Sequence, residues 1–224
     1  MPDLLVERHA AHAVLTLNRP EKRNALSVAL RDALSDTLDE LENDESLKCV
    51  VVTGNGPVFS AGFDLSEFQR AASDEAFGRR LWQSSDRYHD TVLRFPLPTI
   101  AAVNGAALAG GFDLAILCDL RLAATTARFS HPERTFGDVV YAPLHDLVGG
   151  AIARALTIGG REIDAGEALA LNLVERVVEP DELMKATDEL VARVTAAPRD
   201  VLLRTKAKAL RRAGFTPGTP TLDL

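Results

Sequence analysis

The sequence predicts an α/β protein, and three observations carry that prediction. CVVVTG (49–54) and TIAAVNG (99–105) are continuous apolar, largely β-branched runs, of the kind that forms a strand buried on both faces. Leu30, Leu34, Leu38 and Leu41 recur at the spacing of one helical face. Strand-like and helix-like segments then alternate down the chain, which is the α/β order.

The elements follow in sequence. LLVER (4–8) and AVLTLNRP (13–20) read as two strands around a turn at His9 to His12, and residues 28–41 follow as a helix, giving a β-β-α start. The strand at 49–54 ends on Gly54, Asn55 and Gly56, a turn sequence. Residues 66–95 are more polar and carry Phe68, Phe77, Trp82 and Tyr88, which suits helical cover over a pocket rather than a separate domain. After the strand at 99–105 come a helix at 110–118, a strand at 120–124 and helices at 144–158 and 164–171. A strand at 173–178 precedes helices at 181–196 and 199–212. GFTPGTPTLDL, rich in Gly, Pro and Thr, predicts an irregular tail over 213–224.

Composition narrows the function. The chain has 224 residues, enough for one domain with a real core, and 46% of them are apolar. Its net charge of -7 argues against a general nucleic-acid or anionic-membrane binder, while leaving anionic small ligands open through local basic groups. Cys49 and Cys118 both lie in apolar runs and read as small buried hydrophobes, which fits a reducing compartment and a cytoplasmic location. No run approaches the ~18 apolar residues of a membrane span.

Two stretches share one pattern. VVTGNGPVFSAGFDL (51–65) and AAVNGAALAGGFDL (101–114) each run from a buried strand through a Gly-containing turn to Ala-Gly, opening a helix. The first N–H groups of a helix lack partners within it, so two such openings facing one pocket would hold a negative oxygen. Donors of that kind supply roughly 3 to 4 kcal/mol each when aimed at a developing oxyanion. Taken singly, each glycine loop is explained by tight turning alone; the pair favours a site. Asp113 falls in the first turn of the second helix, where dipole stabilisation would account for it. Glu133, in RFSHPERTFG, falls on a loop where solvation would account for it, but together the two acids form a pair for moving protons. Asp64 matches Asp113 in the comparison and reads as structural.

Other signatures fail. A G-x-G-x-x-G reading of TGNGPVFSAG needs glycine where Phe59 stands, and a nucleophile elbow at Ser60 needs glycine where Val58 stands. His9, His12, His89, His131 and His145 show no metal-ligand spacing, so no metal is expected; His131 reads as facing solvent or lining the pocket.

With these segments assembled, the chain resembles the enoyl-CoA hydratase/isomerase family, the crotonases, from about residue 4 to about residue 210. LNRPEKRNALS, VVTGNGPVFSAGFDLSEF, PTIAAVNGAALAGGFDLAILCDLRLAATTARFSHPE and REIDAGEALALNLVERVV correspond in order to its hallmark segments. The resemblance implies a crotonase-like spiral of β-β-α units over residues 1–180, a C-terminal helical oligomerisation region at 181–212, and a homotrimer or dimer of trimers. It implies an acyl-CoA thioester as substrate, with coenzyme A entering as part of that substrate and no permanently bound cofactor. The oxyanion donors carried over are the N–H groups of Phe63 and Gly110, two residues away from the Phe112 that the internal comparison aligns with Phe63. The catalytic acids fall on Asp113 and Glu133. CoA would lie along Lys22, Arg23 and Ala25 and the backbone of Ala61, Asp64 and Leu65. Hydration of a 2-enoyl-CoA is the implied activity, with double-bond isomerisation at the same site as the alternative and a non-catalytic acyl-CoA-binding or scaffold protein as the rival of another class.

Three departures from the family pattern stand out. Hydratases usually have glutamate where Asp113 stands, so the carboxylate reaches less far by roughly 1.5 Å. Some dienoyl-CoA isomerases do have aspartate there, paired with glutamate at the second position, but the further aspartate that they carry eight residues beyond falls on Tyr141. TFGDVVYAPLHDLVGG (135–150) lacks the family's Pro-Gly-x-Gly-Gly loop, and the chain stops short of the usual last helices. In the C-terminal region, Leu183, Leu190, Val194, Leu202, Leu203 and Leu210 read as apolar residues available to an oligomer interface. Arg204, Lys206 and Lys208 offer positive charge to a CoA phosphate, although most of them read as a solvated helix face.

Overall fold

A computed structural model describes residues 1–214 and 218–224. Its first unit is β1 (Leu4–Arg8), β2 (His12–Leu17) and α1 (Val28–Glu42), the expected β-β-α start. Ser27 caps α1 by accepting the Leu30 N–H, and Leu30, Leu34, Leu38 and Leu41 are all buried. Next come β3 (Cys49–Gly54), β4 (Val58–Ser60), α2 (Leu65–Ala71) and α3 (Glu75–Arg94). The third unit is β5 (Thr99–Val103), β6 (Ala106–Leu108) and α4 (Gly110–Leu117). The fourth is β7 (Leu120–Ala124), β8 (Arg128–Ser130), α5 (Ala142–Val148) and α6 (Gly150–Thr157). The chain continues through β9 (Ile163–Asp164), α7 (Ala165–Ala170), β10 (Arg176–Val178), α8 (Leu183–Thr195) and α9 (Arg199–Ala213).

The first unit places both its strands in one sheet, and each later turn contributes one strand to each of two sheets. The larger has the order β1-β2-β3-β5-β7-β10 and the smaller β4-β6-β8-β9. In the larger sheet every pairing from β2 onward is parallel. Its central strands are covered on both sides, as their continuous apolar runs predict. Val50, Val52, Ala101 and Val103 face the main core, whereas Cys49, Val51, Ile100 and Ala102 pack under Leu183, Leu190 and Val191 of α8. Both cysteines are free and buried, and burial pushes each thiol up to about 12, so they behave as small hydrophobes.

Several boundaries differ from the sequence expectation. The single helix expected at 144–158 is two, because Gly149 at φ 76° ends α5 and opens α6. The strand expected at 173–178 pairs only over Arg176–Val178, while Leu173 and Val174 are buried in the turn after α7. Pro180–Glu182 forms a 3-10 turn ahead of α8. Leu183 and Leu190, offered as interface residues, are consumed inside the subunit, and Val194, Leu203 and Leu210 pack against its core clusters. Lys206 is not solvated: it is buried, donating 2.8 Å to Asp119 and 2.9 Å to the Leu97 carbonyl. Arg204 pairs with Asp200 on its own helix. In the tail, Thr221–Asp223 forms a 3-10 turn and Leu224 is buried, whereas 215–217 lie outside the described residues. Among the described residues no helix is long and apolar enough to cross a membrane.

Candidate active site

The parallel pairing of β4 with β6 sets the two glycine loops side by side. Gly62 has φ 89°, and a Cβ there would stand 2.7 Å from the Ala109 Cβ, 2.9 Å from the Leu108 carbonyl oxygen and 3.0 Å from the Gly110 nitrogen. A Cβ on Gly110 would meet the Phe63 ring at 2.7 Å. Only glycine lets the loops approach this closely. Ala109, which caps α4, is itself held at φ 51°, ψ -133°, a conformation that costs an alanine about 1–3 kcal/mol. Gly62→Ala adds both a left-handed strain and a clash with backbone, so we expect it to lower stability by about 1–3 kcal/mol in a thermal melt. An unchanged melting temperature would mean that the loops are not locked together.

The two loops are not equivalent, however alike their sequences. The α4 helix opens at Gly110, so Gly110 N–H has no intrahelical acceptor and Asp113 sits in the first turn, 6% exposed. The α2 helix opens only at Leu65, which leaves Phe63 outside it and makes Asp64 its cap. Asp64 accepts the Ser66 N–H and is bridged by Arg19 at 3.1 Å. Burial raises its carboxyl, but the Ser66 and Arg19 bonds outweigh that and hold it below the usual range. The reading of Asp64 as structural fits this role.

Asp113 and Glu133 come together, as paired acids should, and a third group joins them. After β8, Pro132 opens a 3-10 turn over Pro132–Thr135 that carries Glu133. His131 is fully enclosed, its ring packed at a tilt of 32° against Phe112 with the centroids 4.7 Å apart. Its Nδ1 lies 2.9 Å from Glu133 Oε1 and 3.7 Å from Asp113 Oδ1. One ligand atom from each of the three residues lies within 4.8 Å of the others, close enough to gather round one small cation. Burial pushes the Asp113 carboxyl up to about 7; the His131 charge opposes this and Glu133 reinforces it. For His131, burial favours the neutral ring, but the Glu133 bond and the Asp113 charge prevail and raise its pKa. Asp113 Oδ1, Glu133 Oε2 and His131 Nε2 are buried without a hydrogen-bond partner among the described residues. Buried orphan polar atoms are rare in folded proteins and cluster where chemistry is done.

These acids form the floor of a cavity of about 780 Å³. Ala61, Phe63, Ala109 and Gly110 line it beside them; Leu65, Phe68 and Trp82 wall one side, and Phe136 to Val140 the other. Of the residues assigned to CoA, Ala61 and Leu65 reach this wall. Lys22 and Arg23 are exposed on the loop before α1, and that loop is stitched to the site, since Ala61 N–H donates to the Arg23 carbonyl at 2.9 Å and Leu26 N–H to the Gly62 carbonyl at 2.8 Å. Ala25 is half-buried there, its carbonyl accepting from Arg19 at 2.6 Å.

Sequence reasoning gave His131 no chemical role and missed His89 and Thr221. His131 offered a faint signal, a histidine two residues before an acid in SHPE. Thr221 offered none: it lines the cavity from the chain's far end, its Oγ1 3.0 Å from His89 Nδ1, while its N–H donates to Asp86 at 2.8 Å. Tyr141 and Ala142 N–H groups donate to the Leu224 carbonyl, so the segment around Thr221 is tied down on both sides of the cavity.

The sequence profile of the enoyl-CoA hydratase/isomerase family matches residues 7–218. The chain is 36% identical to a short-chain-enoyl-CoA hydratase of Clostridium acetobutylicum over 211 residues, 92% of this chain and 80% of that one. It is 38% identical to a putative enoyl-CoA hydratase of Thermus thermophilus, over 91% and 82% of the two chains. The solved structure of an enoyl-CoA hydratase from Bacillus anthracis superposes with a TM-score of 0.88 at 29% identity, covering 96% of this chain and 85% of that one.

Proposed function

The chain belongs to the enoyl-CoA hydratase/isomerase family, and from that premise we propose that it adds water across the double bond of a 2-enoyl-CoA. The observation that carries this reading is the convergence of Asp113, Glu133 and the two glycine loops on one largely apolar cavity. Phe63 and Gly110 N–H groups receive the thioester oxygen and stabilise the negative charge it gains as the enolate forms. Asp113 holds the water whose oxygen bonds to C3, and Glu133, oriented by His131, moves the proton that ends on C2. Lys22 and Arg23 give an otherwise acidic protein the positive charge that CoA phosphates need, with Ala25, Ala61, Asp64 and Leu65 along the same path. Coenzyme A enters and leaves as part of the substrate. Assembly as a homotrimer or dimer of trimers is carried over from the family resemblance alone.

One observation favours a second reading, migration of a double bond with Glu133 alone shuttling the proton. Asp113 is one carbon shorter than the usual glutamate, so its carboxylate reaches less far toward a water, and with its carboxyl held up to about 7 part of it stays protonated near neutral pH and cannot take the water's proton. Incubation with crotonyl-CoA and with a 3-enoyl-CoA in heavy water separates the two. Water addition to the first is the expected result; migration and α-deuterium exchange without hydration would replace the hydratase reading, and inertness toward both would end either.

A further inference from the structure

We infer that Arg31 is a positioning residue for this site, a buried cation that fixes the Phe63 N–H and keeps positive charge behind it. The inference rests on the proposed reading in which that N–H receives the thioester oxygen. Arg31 lies on α1, yet it is wholly buried and heads the largest buried side chains of the subunit. Its guanidinium donates to the Leu26 carbonyl at 2.9 Å, the Leu81 carbonyl at 3.1 Å and Ser84 Oγ at 3.3 Å. None of these partners is a carboxylate.

The same group lies over the Phe63 ring, with Cζ 4.2 Å from the ring centroid. Leu26 and Phe63 are themselves bridge partners, and Leu26 N–H donates to the Gly62 carbonyl. Arg31 therefore grips both sides of the bridge that carries the donor: the carbonyl of one partner and the ring of the other. Two of its bonds reach α3, so the loop is referred to the rigid part of the fold rather than to solvent. The titratable groups around it are the acids Glu67, whose carboxylate is occupied by the Val28 N–H at 2.9 Å, and Asp32, the phenol of Tyr88, which burial keeps neutral, and His89.

A neutral clamp would serve packing alone. Removing an arginine charge from water without an ion-pair partner is costly, and burial does pull its pKa below the usual value, though an arginine remains charged. A cation in this position has most to interact with when the thioester oxygen becomes negative, which is where preorganised charge accelerates a reaction.

The test uses the whole protein with crotonyl-CoA and with a non-reacting saturated acyl-CoA labelled with carbon-13 at its carbonyl. In the wild type the carbonyl stretch of the bound thioester should fall relative to free ligand. Arg31→Met, which keeps an unbranched apolar stem, should return that stretch toward the free value and lower kcat by about tenfold or more with a smaller change in KM. Arg31→Lys should recover part of both. A wild-type carbonyl shift and kcat in folded Arg31→Met would overturn the inference. Should that variant not fold, Phe63→Leu removes the stacked ring and leaves the charge; a smaller loss of shift and rate is expected, and wild-type values there would equally overturn the inference. Absence of any carbonyl shift in the wild type would instead overturn the reading of Phe63 as a donor, and the inference with it.

Discussion

Glu133→Gln is expected to lower turnover by about 100-fold or more, the range set by loss of a positioned acid or base. The substitution keeps the shape of the side chain and its contact with His131 Nδ1, now 2.9 Å from a carboxylate oxygen, but it cannot carry a proton between water and carbon. Acyl-CoA affinity should change little, because the glycine loops and the basic loop proposed to hold the ligand are separate from the acid. Steady-state kinetics with an equilibrium binding measurement decide the matter. Near-normal turnover would remove Glu133 from the mechanism.

Asp113→Asn should abolish hydration and, at the same time, stabilise the protein. The carboxyl is buried with Oδ1 lacking a partner, and its pKa rises from 3.8 to about 7 in the folded state. A raised carboxyl pKa means that the native state holds a proton the unfolded chain has released. Its contribution is thus fully present below about pH 4 and is lost as pH climbs to about 7. Asparagine carries no such penalty. In urea melts the variant's advantage should be small near pH 4, grow toward pH 7 and level off above it. At about 1.4 kcal/mol for each pH unit between the unfolded and folded pKa values, it reaches a few kcal/mol. Asp113→Glu restores the longer reach and should keep or raise hydration. An Asn variant that hydrates at the wild-type rate would take water-holding away from Asp113; a stability difference flat with pH would contradict its burial as an ionisable group.

Some of the site was legible in the sequence. The order of the segments points to the family, and the two acids stand out as a pair, Asp113 in the first turn of a helix and Glu133 after a proline on a loop. The internal repeat, by contrast, reads both Ala-Gly pairs as helix openings, but only Ala109-Gly110 opens one: α2 begins two residues beyond Phe63, and Asp64 caps it while Asp113 enters the cavity. Identical residues took different roles because the helix begins at a different point relative to each. His131 looked like a loop residue beside a proline, yet burial between Phe112 and the two acids makes it the link between them. The second sheet was invisible for a simpler reason. Its strands β4, β6, β8 and β9 are two or three residues long, too short to show a period of two.

The sequence by itself determined which segments would be buried and in what order they would stack, since apolar periodicity records local burial. It also supplied the chemistry of Asp113, Glu133 and the glycines. Only the tertiary structure decided which of those groups would meet. The pairing of β4 with β6 joins loops about 50 residues apart in sequence, Arg31 of α1 comes to rest on Phe63, and Thr221 closes the cavity against His89. Such contacts depend on how whole elements pack against one another, and no local pattern along the chain encodes that.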